Sequence, residues 1–178
     1  DEVKKVLDES RELVDRIRRK AKEVDDRDRK LIRDVLEELK KLLEENRKLV
    51  EDIRRLLEAG VSEDELRRLL EESRELIKRV KERLDDALRR LEESSKTWKE
   101  ELDRLLEENE ELIRRAEEAG VDKETLRRLH EETERILRDL KRHNDELNDE
   151  ARKRLKEVKE RLDESHDRVR RELEAKER

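Results

Sequence analysis

The chain has no cysteine, proline, methionine, phenylalanine or tyrosine, and it carries two glycines and one tryptophan. Each absence removes a class of structure or chemistry. Without cysteine there are no disulfides and no thiolate metal sites. Without Phe, Tyr or Met the core must be Leu, Ile, Val and Ala, with Trp98 as the one large ring and a core filler by expectation. No apolar run approaches the ~20 residues that a transmembrane helix needs. Residues 1–20 open acidic and hold no apolar stretch, so no secretory signal is read there. A soluble protein, suited to cytoplasmic expression, is the expectation. Basic blocks are missing too: 50 Lys and Arg interleave with 56 Asp and Glu for a net charge of −6. Neither nucleic acid nor an anionic membrane is an expected partner of such a surface.

What is present is charge, at 60% of residues, and a thin but regular apolar stripe. Charge that dense favours disorder, yet disorder does not keep strict spacing. In the first segment the stripe reads Val6, Ser10, Leu13, Ile17, Ala21, Val24, Asp28, Leu31, Val35, Leu39, Leu42, Asn46, Leu49, Ile53 and Leu57. The gaps run 4, 3, 4, 4, 3 and repeat, so five gaps cover 18 residues. That is ~3.6 residues per turn, the period of an undistorted α-helix rather than the 3.5 of a supercoiled heptad. Leu7, Val14, Ile32, Leu36, Leu43, Val50 and Leu56 widen the stripe, as expected of a helix that touches two neighbours. The charged run at 25–30 and the polar stretches at 94–97 and 143–149 are the places where a turn would create extra helices. The stripe keeps its phase through all three without Gly or Pro, so each is read as continuous helix.

Two corners interrupt the pattern. Ala59-Gly60-Val61-Ser62 and Ala119-Gly120-Val121-Asp122 contain both glycines. Gly60 and Gly120 suit the left-handed position just past a helix end. Ser62 and Asp122 follow as N-caps, Ser62 with Glu65 spells a capping box, and Val61 and Val121 can staple to Leu66 and Leu126. Leu66-Arg67-Arg68-Leu69 recurs as Leu126-Arg127-Arg128-Leu129, an internal echo at an offset of 60. The segments are then about 1–59, 62–119 and 122–178, in a single domain spanning 1–178. Turns this short leave no room for a crossover, so successive helices run antiparallel. The expected fold is all-α: an elongated, nearly straight, up-down-up antiparallel three-helix bundle.

The corners also serve as a ruler. Folding at 60–61 places position i of the first helix near 121 − i of the second, and the next corner brings i + 120 of the third alongside. Polar residues on the apolar stripes then fall level with one another. Ser10 meets Asn109 and His130, with Thr133 one turn away. Asp28 meets Asn148 and Ser94 or Ser95. Asn46 meets Ser73 and His166. The layers recur every 18 residues, roughly 27 Å at ~1.5 Å rise per residue. A buried polar group costs ~1–3 kcal/mol if unpaired, so grouping such residues is what satisfaction requires. Leu layers alone pack almost as well one turn out of register, whereas a displaced polar layer strands its donors.

The same residues carry little catalytic promise. Ser94 and Ser95 have no base positioned by a third group, as a triad requires. The three histidines lie at different levels, no H-E-x-x-H occurs, and the Asp-rich runs lack a calcium-loop glycine. No glycine-rich loop is available for a nucleotide. Catalytic, metal and cofactor sites are all expected to be absent, and a monomer needing no partner is the expected state. The alternative is a component that binds a partner helix, self-associates through its stripes, or responds to pH through buried His130 and His166.

Taken together, the paired Gly-Val-Ser/Asp corners, the 18-residue repeat, the layered Ser, Asn, His and Asp residues and the Glu/Lys/Arg surface resemble computationally designed helical bundles with buried hydrogen-bond networks. A natural spectrin-like three-helix repeat is the nearest alternative, but it carries more aromatic residues and irregular loops. The resemblance implies a structural scaffold, or one part of a designed interaction or switch system, rather than an enzyme.

Overall fold

The structure, a computed structural model, describes residues 1–60 and 62–177. Three helices account for nearly all of them: α1 (Glu2–Ala59), α2 (Glu63–Glu118) and α3 (Lys123–Glu177). Glu, Lys, Arg, Leu and Ala are strong helix formers, and no proline interrupts them. The charged run at 25–30 and the polar stretches at 94–97 and 143–149 are all helical.

The helix ends follow from local chemistry. Gly120 has φ 93° and Gly60 has φ 72°, both left-handed. At the second corner Val121 N–H bonds the Ala116 carbonyl at 3.0 Å and Gly120 N–H bonds that of Glu117 at 3.1 Å. Those are the two bonds of a Schellman motif. Asp122 then caps α3, its Oδ2 accepting the Thr125 N–H at 3.2 Å and its Oδ1 accepting the Thr125 hydroxyl at 2.6 Å. These bonds hold the Asp122 carboxyl below its usual range.

The first corner is built differently. Gly60 N–H reaches the Leu57 carbonyl at 3.4 Å, and the Ser62 carbonyl accepts the Leu66 N–H at 3.3 Å. Ser62 therefore stands at the N-cap by its backbone, and among the described residues no side-chain bond joins it to Glu65. The Val61 staple lies outside the described residues. A Cβ on Gly120 would meet nothing within 4 Å, so its glycine is required by backbone angle alone. Gly120→Ala is expected to lower stability by about 1–2 kcal/mol, as measured by chemical denaturation.

The chain divides into two compact units. Unit 1 comprises Asp1–Arg29 and Arg90–Asp149, and unit 2 comprises Lys30–Arg89 and Glu150–Arg178. Each takes a piece of all three helices. In unit 1 the core is Leu13, Ile17, Trp98, Leu102, Leu105, Leu112 and Leu137. Trp98 is 3% exposed and fills this core. Unit 2 has one cluster centred on Val35, Leu39, Val80, Leu84, Leu155 and Leu162, and another on Ile53, Leu57, Leu66 and Val169.

Interhelical pairs fix direction and register within each unit. In unit 1 α1 meets α2 through Glu9 with Arg115, Arg16 with Glu108 and Lys20 with Glu101. Those residue numbers total 121 to 124, the signature of an antiparallel pair. Asp103 with Lys141 and Lys99 with Asp145 tie α2 antiparallel to α3. In unit 2, Glu38 with Arg83 again totals 121, while Arg54 and Glu172 on the parallel pair α1 and α3 differ by 118. Up-down-up order holds in both. Most of these pairs are exposed, where an ion pair contributes only ~0–1 kcal/mol, so they report register more than they create stability.

Candidate functional site

Polar residues that face inward are the candidates, since the surface is uniformly charged. On α1 the three stripe positions Ser10, Asp28 and Asn46 are all buried. Their surroundings differ sharply.

Near Ser10, in unit 1, Asn109 and Thr133 are also buried, and Asn109 is 0% exposed. Neither the amide nitrogen nor the amide oxygen of Asn109 has a hydrogen-bond partner among the described residues. Polar groups gather at this level, but among the described residues no side-chain hydrogen bond joins Ser10, Asn109 and Thr133. His130 is not part of the gathering. Its side chain is 40% exposed, with Nε2 3.2 Å from Glu134 Oε1. The reason is angular: at ~100° per residue, His130 and Thr133 differ by ~60° around α3, and Thr133 takes the inward direction.

Around Asp28, still in unit 1, bonds do form. The Ser94 hydroxyl donates to Asp28 Oδ1 at 2.9 Å, and the Arg27 guanidinium donates to Ser94 Oγ at 3.0 Å. Of the two serines expected here, Ser94 takes the carboxylate, while Ser95 accepts a long bond from the Asn144 amide at 3.4 Å. Asn148 bonds Asn144 Oδ1 at 3.3 Å rather than Asp28. Asp28 Oδ2 and Asn148 Oδ1 have no partner among the described residues. Burial pushes the Asp28 carboxyl above its usual range; the Ser94 bond and the Arg27 charge oppose this only in part, and the Asp25 charge adds to it. Alongside, His143 Nε2 lies 2.9 Å from Asp25 Oδ1. For Asp25 burial also pulls upward, but bonds and charges from His143 and Arg29 outweigh it and hold the carboxyl low.

In unit 2 the Asn46 group draws on all three helices. The Ser73 hydroxyl donates to Asn46 Oδ1 at 2.8 Å, and the Asn46 amide donates to Ser165 Oγ at 3.3 Å. His166 Nδ1 lies 3.5 Å from Ser73 Oγ. Ser73 has a single proton, already given to Asn46, so the imidazole must be the donor in that contact. Burial, and then the charge of Arg74, press the His166 pKa below 6.5.

Sequence reasoning passed over Asn144, Ser165, Arg27 and the Asp25–His143 pair. Asn144 and Ser165 both lie on the α3 stripe, one turn and one residue from the chosen Asn148 and His166. Arg27 and Asp25 stand beside the stripe, where a charged residue on a charged surface carries no signal. The arrangement offers little chemistry: serine hydroxyls bonded to a carboxylate or an amide, with no activated nucleophile. Among the described residues no three His, Cys, Asp or Glu side chains gather to hold a metal ion, and no helix is long and apolar enough to cross a membrane.

No protein-family model matches the chain, and no curated protein does. Among solved structures it is similar to one described as a computationally designed three helix bundle. That match covers 95% of this chain and 82% of the other, at 18% identity and a TM-score of 0.37.

Proposed function

We propose that this chain is a designed scaffold without natural biochemical activity, whose buried polar residues specify helix register and pairing. The observation that carries the reading is the group in unit 2, where Asn46, Ser73 and Ser165 satisfy one another from three different helices. A slip of one turn between any two helices would leave a buried amide or hydroxyl unpaired, at about 1–3 kcal/mol each. An all-apolar layer carries no such penalty, and gains stability while losing uniqueness.

The test replaces the group as a whole. Asn46→Leu, Ser73→Leu and Ser165→Ala are combined, with spin labels on exposed Lys40 and Arg67 of unit 2, staggered along the helix axes so that a slip changes their separation. The parent protein is expected to give one interlabel distance, and the variant an added population displaced by about 5 Å, one helical turn. A single unchanged distance in the variant would show that Leu packing alone sets the register.

A second reading, a pH-responsive element, is supported by His166 in the same group. Its folded pKa lies below the unfolded value of 6.5. As pH falls through 6.5 the unfolded chain takes up the proton first, so stability declines until the folded pKa is reached and then levels. This contribution to the pH dependence is expected to vanish in His166→Asn, compared with the parent in melting curves from pH 7.5 to 4.5. Superimposable pH trends for the two proteins would remove His166 from any switch.

A further inference from the structure

We propose that unit 1 binds a single internal water molecule at Asp28, which donates a hydrogen bond to the carboxylate oxygen Oδ2. Asp28 is 1% exposed, and Oδ2 has no partner among the described residues although Oδ1 is held by Ser94. Beside it lies a cavity of about 20 Å³ bounded by Asp25, Asp28, Trp98, His143 and Asn144. One water needs ~10–15 Å³ on the same measure, together with two to four polar partners.

The donor inventory selects the ligand. Oδ2 accepts only, so whatever binds there must donate, which excludes an apolar gas or a halide. The volume excludes anything larger than a water or an ion of that size. A divalent metal finds no cluster of ligands among the described residues. His143 and Asp25 are engaged with each other, and Arg29 holds the second Asp25 oxygen at 2.9 Å. The Asn144 amide gives one proton to Ser95 and keeps a second. A water can therefore donate to Asp28 Oδ2 and accept from Asn144, and its remaining proton faces the spare lone pairs of Asp25. These partners make the site polar enough to stay wet even though Trp98 and several aliphatic side chains form the rest of its wall. The inference is separate from the register reading, which rests on unit 2.

The competing arrangement is a protonated Asp28 whose Oδ2 donates to the other unpartnered acceptor, Asn148 Oδ1. The two are told apart on the unaltered protein. At pH 7 a crystal structure at high resolution is expected to show one density peak about 2.6–3.2 Å from Asp28 Oδ2. NMR is expected to show exchange-independent cross-peaks from water to the Asn144 amide, and an Asp28 carboxyl carbon shift typical of the anion. An empty cavity, or a carboxyl carbon shift typical of the neutral acid, overturns the proposal. In Asp28→Leu the peak is expected to be lost; its persistence would mean that other groups hold the water, and would equally overturn it.

Discussion

Asn109→Leu raises the melting temperature of this protein by about 4–8 °C, the shift expected for ~2 kcal/mol in a chain of this length. Few polar-to-apolar core changes should be so favourable, and the reason is specific to this amide. Asn109 is fully buried and both of its polar atoms lack partners among the described residues. An unpaired buried group costs ~1–3 kcal/mol, and two are present. Leu105 and Leu112, one turn to either side, belong to the unit 1 core, so leucine extends an existing apolar row. Some of the gain is offset because leucine is bulkier, and overpacking costs ~1–3 kcal/mol where neighbours cannot yield.

Asn46→Leu supplies the contrast within the same fold. That amide accepts from Ser73 and donates to Ser165, so removing it strands two hydroxyls and should lower stability. Opposite signs for one residue type at two buried stripe positions is the outcome that hydrogen-bond satisfaction demands. If Asn109→Leu instead lowers the melting temperature, either the Ser10 and Thr133 hydroxyls rotate onto the amide in solution or the neighbours do not yield to the bulkier leucine.

The contrast marks how far the sequence could be read. An 18-residue spacing on α1 placed Ser10, Asp28 and Asn46 on one inward line, because five turns of an undistorted helix return to the same angle. The glycine corners fixed the levels of α2 well enough to pair Asn46 with Ser73 and Asp28 with Ser94. Finer choices were beyond reach. Ser165 and His166 are adjacent and ~100° apart, and a small rotation of α3 decides which one reaches Asn46. In unit 1 a choice of the same kind turns Thr133 inward and His130 outward. Which donor meets which acceptor is settled by rotamers, and periodicity is silent about those. Thus residue spacing locates the polar levels but does not say that one is joined by hydrogen bonds while another holds an unpaired amide.

Asp28→Asn is the second substitution with a large expected effect, and its sign depends on pH. At pH 7 the parent buries a carboxylate that is 1% exposed and whose Oδ2 has no protein donor among the described residues. Arg27 acts on it by charge and through its bond to Ser94, yet burial wins, because the pKa is raised. Asparagine keeps the shape, still accepts from Ser94, and replaces the unpaired oxygen with an N–H donor level with Asn148 Oδ1, the other unpartnered acceptor. A gain of about 1–3 kcal/mol at pH 7 follows from removing the buried charge, whose desolvation outweighs its partners even with a water at Oδ2.

Acid should then erase the difference. The folded Asp28 pKa lies above the unfolded value of 3.8, so as pH falls the native state binds the proton first and the parent gains stability relative to the variant. The gain begins at the folded pKa and is complete below 3.8. Comparing the two proteins at each pH cancels the many surface carboxylates they share. This trend is opposite in sign to that of His166, whose folded pKa is depressed. The two groups therefore act against each other in the whole chain, and only paired variants separate them. Urea titrations at pH 7, 5 and 3.5 are expected to show a variant advantage that narrows steadily. A constant advantage would mean that Asp28 is not the titrating group, and a variant weaker at pH 7 would mean that the Arg27–Ser94 relay outweighs burial.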